Sequence, residues 1–215
     1  MSFLESLLKM VSSFFEYMKL QDTTIKNPCT SIQNLIILNN GEIKPVNIVG
    51  FRDESNPDMW NDLIVINIGN KIIVCNATTD PGKYYTENPL HEGGAAHLIN
   101  GYYSEIWVNG LHRGKYDALV QRGKKIKVWR DKNKNYKNDD NNEYIKLSGI
   151  NLHHGNSKKT IERASAGCQV IRLKKIFFDI IENIKQTGQR AFDYLLTDIE
   201  NCPPEIMNLK KNKWY

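Results

Sequence analysis

Of the four cysteines in the chain, Cys168 stands in a setting suited to chemistry. It closes the run Ser165-Ala166-Gly167-Cys168, which is small and turn-forming, and leads into the apolar stretch "QVI". Upstream, "GINLHH" ends on His153 and His154, and the polar loop "HGNSKKTIERA" connects the two segments. A free thiol, with a pKa of about 8.5, is only a few per cent thiolate at neutral pH, so a cysteine nucleophile needs a base. A strand delivering an imidazole and a loop returning a thiol supply that pair. The imidazole takes the thiol proton and later returns it to a leaving amine. Gly167 keeps side chains away from the sulfur, and backbone N–H groups at Ala166, Gly167 and Cys168 can converge on an oxyanion. Ser165 can orient the imidazole or cap the turn. The plainer alternative is a buried thiol beside a surface imidazole.

The elements that must position these residues read as mainly β (α+β). "NLIILNNGEIKPVNIVGF" carries two apolar runs around Asn39-Asn40-Gly41, a hairpin signal, and "DLIVINIGNKIIVCNATT" repeats it around Gly69-Asn70. "YSEIWVNGLHRGKYDALVQRGKKIKVWRD" supplies further short strands, with Gly110, Gly114 and Gly123 as turn points. Strands at such intervals predict a sandwich or barrel. Helical patterns return in "LKKIFFDIIENIKQ" and "QRAFDYLLTDIE". His91, His97 and His112 are predicted in Gly-rich loops that wall a cleft, where His112 and Arg113 face a carboxylate.

The whole order of the 149–171 stretch resembles the catalytic motif of the L,D-transpeptidase (YkuD-type) family: strand histidine, polar loop, Ser-x-Gly-Cys and apolar continuation. A looser similarity in order reaches back to Trp60. The resemblance implies a β-sandwich or barrel catalytic domain over residues 30–215, flanked by N- and C-terminal helices, and needing no cofactor. It implies that Cys168 attacks the third, L-centred residue of a peptidoglycan stem peptide. His153 then acts as base and acid, and Ser165 and Gly167 complete the catalytic set. An amine acceptor gives a cross-link; water gives carboxypeptidase or endopeptidase products. Substrate contacts fall to His154, Arg163, Gln169, His112 and Arg113. Two positions depart from the family: Ala166 replaces a histidine and Val170 an arginine, for which Arg163 or Arg172 is the candidate substitute. "GLHRGKYDALVQ", "WRD" and "SAGCQV" in this order are similar to a phage and prophage branch. Two alternatives remain open: a phage-type murein hydrolase using the same dyad, and a non-catalytic wall-binding or virion structural protein.

The net charge is +5, and the lysines form no arginine-rich helix or aromatic-interleaved stripe, which sets nucleic acid aside. Over residues 1–22, Leu4, Leu7, Leu8, Val11, Phe14, Phe15 and Met18 keep helical spacing, with Glu5, Lys9, Glu16 and Lys19 between them. This predicts an amphipathic helix packed on the domain or on a partner. It lacks the basic start and unbroken apolar core of a signal peptide and is too polar to span a bilayer. The expectation is a chain made in the cytoplasm and acting at the cell wall or periplasm once delivered. No CxxC pair marks structural zinc. Cys75 reads as a buried strand thiol, Cys29 and Cys202 as loop cysteines that could pair, in a mostly reduced chain. In "DKNKNYKNDDNNE", Asp131, Asn133, Asn135 and Asp139 fall at calcium-loop positions, but Tyr136 and Asn142 stand where glycine and glutamate belong. A solvated hairpin loop is the preferred reading, with calcium the alternative.

Overall fold

A computed structural model describes residues 27–211; the helix expected over residues 1–22 lies outside them. The described residues open with helix α1 (Pro28–Leu38), whose Asn27 cap accepts from the Cys29 N–H at 2.9 Å. Ile32 and Ile36, one turn apart, are buried, while Ile37 and Leu38 are exposed. The hairpin expected around Asn39-Asn40-Gly41 is therefore not formed. A run of four branched residues looks like a strand, but the capped start and the i, i+4 burial decide for helix.

Strands β1 (Val46–Arg52), β2 (Asp62–Ile68) and β3 (Lys71–Thr78) follow, then the short helix α2 (Lys83–Glu87). Next come β4 (Ala95–Leu98), β5 (Gly101–His112), β6 (Tyr116–Gln121), β7 (Ile126–Asp131) and β8 (Glu143–Lys146). The last part holds β9 (Leu152–His154), β10 (Gln169–Ile171), helix α3 (Lys174–Gln186), β11 (Ala191–Asp198) and helix α4 (Pro204–Lys211). Eight of the strands close into a barrel in the order β1-β11-β5-β6-β9-β10-β3-β2, and β4-β7-β8 form a separate small sheet. The fold is mainly β, as the strand spacing predicts. Among the described residues, no helix is long and apolar enough to cross a membrane.

The β2–β3 hairpin turns at Gly69-Asn70 as expected. Gly110 instead lies inside β5, paired with Ala118, and the turn falls three residues later. "QRAFDYLLTDIE" is the larger departure: it is strand β11, parallel to β1 and antiparallel to β5. Its apolar residues serve two faces. Phe192, Tyr194 and Leu196 enter the main core, and Leu195 joins a second apolar cluster beneath α1 and α4. A strand buried on both sides loses the alternation that would distinguish it from a helix. β1 and β2 are built the same way, with Ile48, Ile64 and Ile66 inside and Val49, Phe51, Leu63 and Val65 outside. Helix α3 matches its reading: Phe177, Ile180, Ile181 and Ile184 form one buried face closing the barrel. Each contributes about 1.5–3 kcal/mol by burial.

No disulfide joins the four cysteines. Cys75 is the buried strand thiol expected, whereas Cys29 sits in the first turn of α1 rather than in a loop.

Candidate active site

Parallel pairing of β9 with β10 sets Leu152 beside Gln169 and His153 beside Val170. The Gln169 N–H donates to the Asn151 carbonyl at 2.9 Å, so Cys168 stands level with Asn151 just outside both strands. There the Asn151 N–H donates to the Cys168 sulfur at 3.5 Å, and the thiol reaches the Gly149 carbonyl at 3.6 Å. Cys168 is half-buried and packs against Trp60, Ile161 and Val170.

The β5–β6 hairpin delivers a second imidazole to the same end of the barrel. Arg113 and Gly114, with φ of 51° and 70°, begin the three-residue connection that ends at Lys115 and sets His112 opposite Tyr116. The His112 ring lies 4.0 Å from that of His153, and its Nδ1 accepts from the Asn151 side-chain amide at 3.2 Å. His153 is buried, and its Nδ1–H donates to the His154 carbonyl at 2.8 Å. The Tyr116 hydroxyl lies 3.4 Å from the same nitrogen. These partners assign the lone pair of His153 to Nε2 and the N–H of His112 to Nε2. Cys168, Asn151, His112, His153 and Tyr116 thus form one chain of contacts.

Burial drives every titration in this chain towards the neutral form. Burial, then the neighbouring His112, pushes His153 down to about 3. His112 is lowered by burial and then by the Arg113 charge. The Cys168 thiol is raised by burial, against the Asn151 N–H and Arg113, which lower it. The sulfur makes its hydrogen bonds with backbone at residues 149 and 151 rather than with an imidazole. At rest this is a neutral thiol near neutral imidazoles.

The Ser165–Cys168 turn is tightly built. Ser165 is buried; its hydroxyl donates to the Cys168 carbonyl at 2.8 Å and accepts from the Gly167 N–H at 3.0 Å. Ser165 therefore caps the turn and does not orient an imidazole. Its hydroxyl also occupies the Gly167 N–H, removing that donor from any oxyanion hole. The Cys168 N–H has no acceptor among the described residues. Gly167 has a φ of 121°, and a Cβ there would lie 2.3 Å from the Ala96 carbonyl oxygen, so no other residue fits.

The remaining predicted contacts separate. Gln169 is fully buried, donates to the Thr79 carbonyl at 3.0 Å and accepts from the Tyr194 hydroxyl at 2.7 Å, so it is a core residue rather than a substrate contact. His154 points along the other strand face, over Tyr116 at 4.3 Å and towards Phe178 at 5.4 Å. Arg163 lies over the Tyr84 ring at 3.7 Å. Arg113 is exposed at the rim of the site. Arg172 donates its N–H to the Asn76 carbonyl, on the β3 side. His97 is not in a loop: it is buried in β4, stacked on Trp129. His91 does lie in a turn, with Nδ1 accepting from the Gly93 N–H.

The 131–143 segment is a hairpin loop between β7 and β8. The Asp131 carboxylate accepts from the Asn135 and Tyr136 N–H groups, and Asp140 from those of Lys132 and Asn133. Asp139 takes the side-chain amides of Asn133 and Asn135. The oxygens a cation would use hold the loop itself together.

Asn151 and Tyr116 are functional candidates that the sequence reading missed. Asn151 was accessible: it stands two residues before His153 and shares its strand face. Tyr116 was not, because its place depends on the hairpin register. Behind the cysteine turn lies a second polar cluster. The Arg52 guanidinium bonds to Asp80 at 3.0 Å and to the Leu98 carbonyl at 2.8 Å. Asp62 accepts from the Thr79 N–H at 2.6 Å, and His97 bonds Asp80 at 2.8 Å. No protein-family model, no curated protein and no solved structure matches this chain.

Proposed function

We propose that this protein is a cysteine-dependent acyltransferase acting on peptidoglycan stem peptides. The observation that carries the reading is the contact chain from the Cys168 sulfur through Asn151 and His112 to His153 at one end of the barrel. The substrate class rests on the resemblance of the 149–171 stretch to the L,D-transpeptidase family.

In this reading the thiol proton passes to His153 Nε2 as the sulfur bonds to the carbonyl carbon of the stem's third residue. The Cys168 N–H, the amide left without an acceptor, holds the oxyanion. Collapse breaks the C–N bond, and the imidazolium proton goes to the departing D-residue amine, leaving a thioester. An amine or water then resolves it. Because His153 is held near 3, it carries a proton only while the thiolate or the oxyanion lies beside it. Tyr116 and the His154 carbonyl fix its ring, and Asn151 fixes that of His112.

Mass spectrometry of muropeptides incubated with wild-type protein, Cys168→Ala and His153→Ala tests this. A product needing both residues supports the reading, and its mass separates cross-linking from the murein hydrolase alternative. An unchanged product with Cys168→Ala overturns it. A second reading, a non-catalytic wall-binding or virion protein, draws on the neutral, backbone-bonded thiol. It predicts that Cys168 alkylates no faster than Cys29 or Cys75.

A further inference from the structure

One seam of the barrel is only partly joined. β10 pairs with β3 at Ala77 and Thr78, and the Arg172 N–H adds a bond to the Asn76 carbonyl before the chain turns into α3. On that side, the half of β3 from Lys71 to Cys75 faces α3 across a groove of about 1230 Å³ instead of a neighbouring strand. Ile72, Ile73, Val74, Leu173, Ile176 and Met207 line the groove, and each keeps part of its surface exposed. We infer that this groove is the docking site of the chain's own residues 1–22, seated there as an amphipathic helix.

Three observations single out that occupant. The first is its point of attachment. Helices α1 and α4 both pack against β3, and Ile32 of α1 shares an apolar cluster with Ile72, Val74 and Met207. The segment that leads into Pro28 therefore meets the described residues beside the groove. The five residues from Thr23 to Asn27 can span about 17 Å, enough to bring residue 22 to it. So short a tether holds the segment at roughly millimolar effective concentration, which a separate partner would have to match.

The second is fit. The stripe from Leu4 to Met18 is about 21 Å long as a helix. The groove walls are of similar length: residues 71–76 of β3 run about 17 Å and residues 173–183 about 15 Å. Phe3 and Met10 widen the stripe to roughly 160° of the helix, more than the ~100° that one flat contact covers. A helix with walls on two sides buries such an arc.

The third is charge. The lining carries Lys71, Arg172, Lys174 and Lys175 against Asp179 alone. None of those four cations forms an ion pair among the described residues. Residues 1–22 hold Glu5, Glu16 and Asp22 against Lys9 and Lys19, an acidic balance in a chain of net charge +5. The inference is independent of the acyl-transfer reading.

The test is hydroxyl-radical footprinting of the full chain, read by mass spectrometry at Met207, with Met59, outside the groove, as the reference. Wild type and Ser13→Glu, which adds a charge opposite the stripe, should label Met207 slowly and alike. Leu8→Glu/Phe15→Glu should raise its rate severalfold relative to Met59. Benzoylphenylalanine in place of Phe15 should crosslink within one chain to residues 71–76, 173–180 or Met207. A Met207 rate indifferent to the stripe substitutions overturns the inference, as does a crosslink elsewhere or between two copies. Protection of Met207 that appears only with added dodecyl phosphate also overturns it, and assigns the groove to an anionic amphiphile.

Discussion

The two polar clusters on either side of the Ser165–Cys168 turn are constructed in opposite ways. Behind it, buried Arg52, Asp62 and His97 and half-buried Asp80 are charges or charge partners held by many bonds. Burial alone would raise Asp80, but the Arg52 charge and the His97 hydrogen bond more than offset it and hold the carboxyl low. In front, Cys168, His153, His112 and Tyr116 have no opposite charge among them, and burial keeps all four neutral. One cluster fixes charge to hold the fold. The other holds a thiol, a phenol and two imidazoles uncharged. Gln169 connects them, since it follows Cys168 directly and ends on Thr79 and Tyr194.

That contrast breaks most visibly at Arg52. Arg52→Met leaves the half-buried Asp80 with only His97 opposite and removes the buried guanidinium's bonds, and should cost about 3 kcal/mol in urea unfolding. A loss below about 1 kcal/mol would mean that the rear cluster does not hold the fold. Gly167→Ala comes next, at about 1–3 kcal/mol, because the backbone is left-handed there and the Ala96 carbonyl fills the Cβ position. It should also change the alkylation rate of Cys168, which Gly69→Ala, in an open turn, should not.

The pH dependence sharpens the comparison. Asp62 is raised from 3.8 to about 7 by burial and then by the Asp80 charge. Between those values the folded chain holds a proton that the unfolded chain releases, so this group makes stability fall as pH rises. His153 is lowered from 6.5 to about 3, so the unfolded imidazole takes a proton that the folded one refuses. Its contribution is complete above 6.5 and is lost as pH falls towards 3. Asp62→Asn should flatten the first trend and His153→Phe the second, read as denaturation midpoints across pH. The smallest effect belongs to Arg113, an exposed charge that lowers the thiol pKa. Arg113→Asn keeps a residue tolerant of the left-handed turn and should slow Cys168 alkylation only by a small factor near neutrality.

Much of the front cluster was legible in the sequence because its signals are local. The strand carrying His153, the turn before Cys168 and the Arg113-Gly114 hairpin each depend on neighbouring residues. The rear cluster was not legible, since Arg52, Asp62, Asp80 and His97 meet only when strands distant in sequence pair. Gln169 was misread for the same reason: its position beside the thiol suggested substrate, and only the barrel interior shows Thr79 and Tyr194 waiting for it. Gly50 makes that arrangement possible, because a Cβ there would lie 1.9 Å from the Tyr194 hydroxyl. The helix–strand confusions at α1 and β11 share one cause. Burial on two faces, or a short run of branched residues, erases the periodicity that separates the two structures.

The most direct test of the central claim is intact-mass spectrometry of the protein mixed with a tetrapeptide stem donor and quenched in acid. The account predicts added mass on Cys168 equal to the donor less its departing D-residue, lost in Cys168→Ala and strongly reduced in His153→Ala. An unmodified wild-type protein, or an adduct formed as readily without His153, would contradict it.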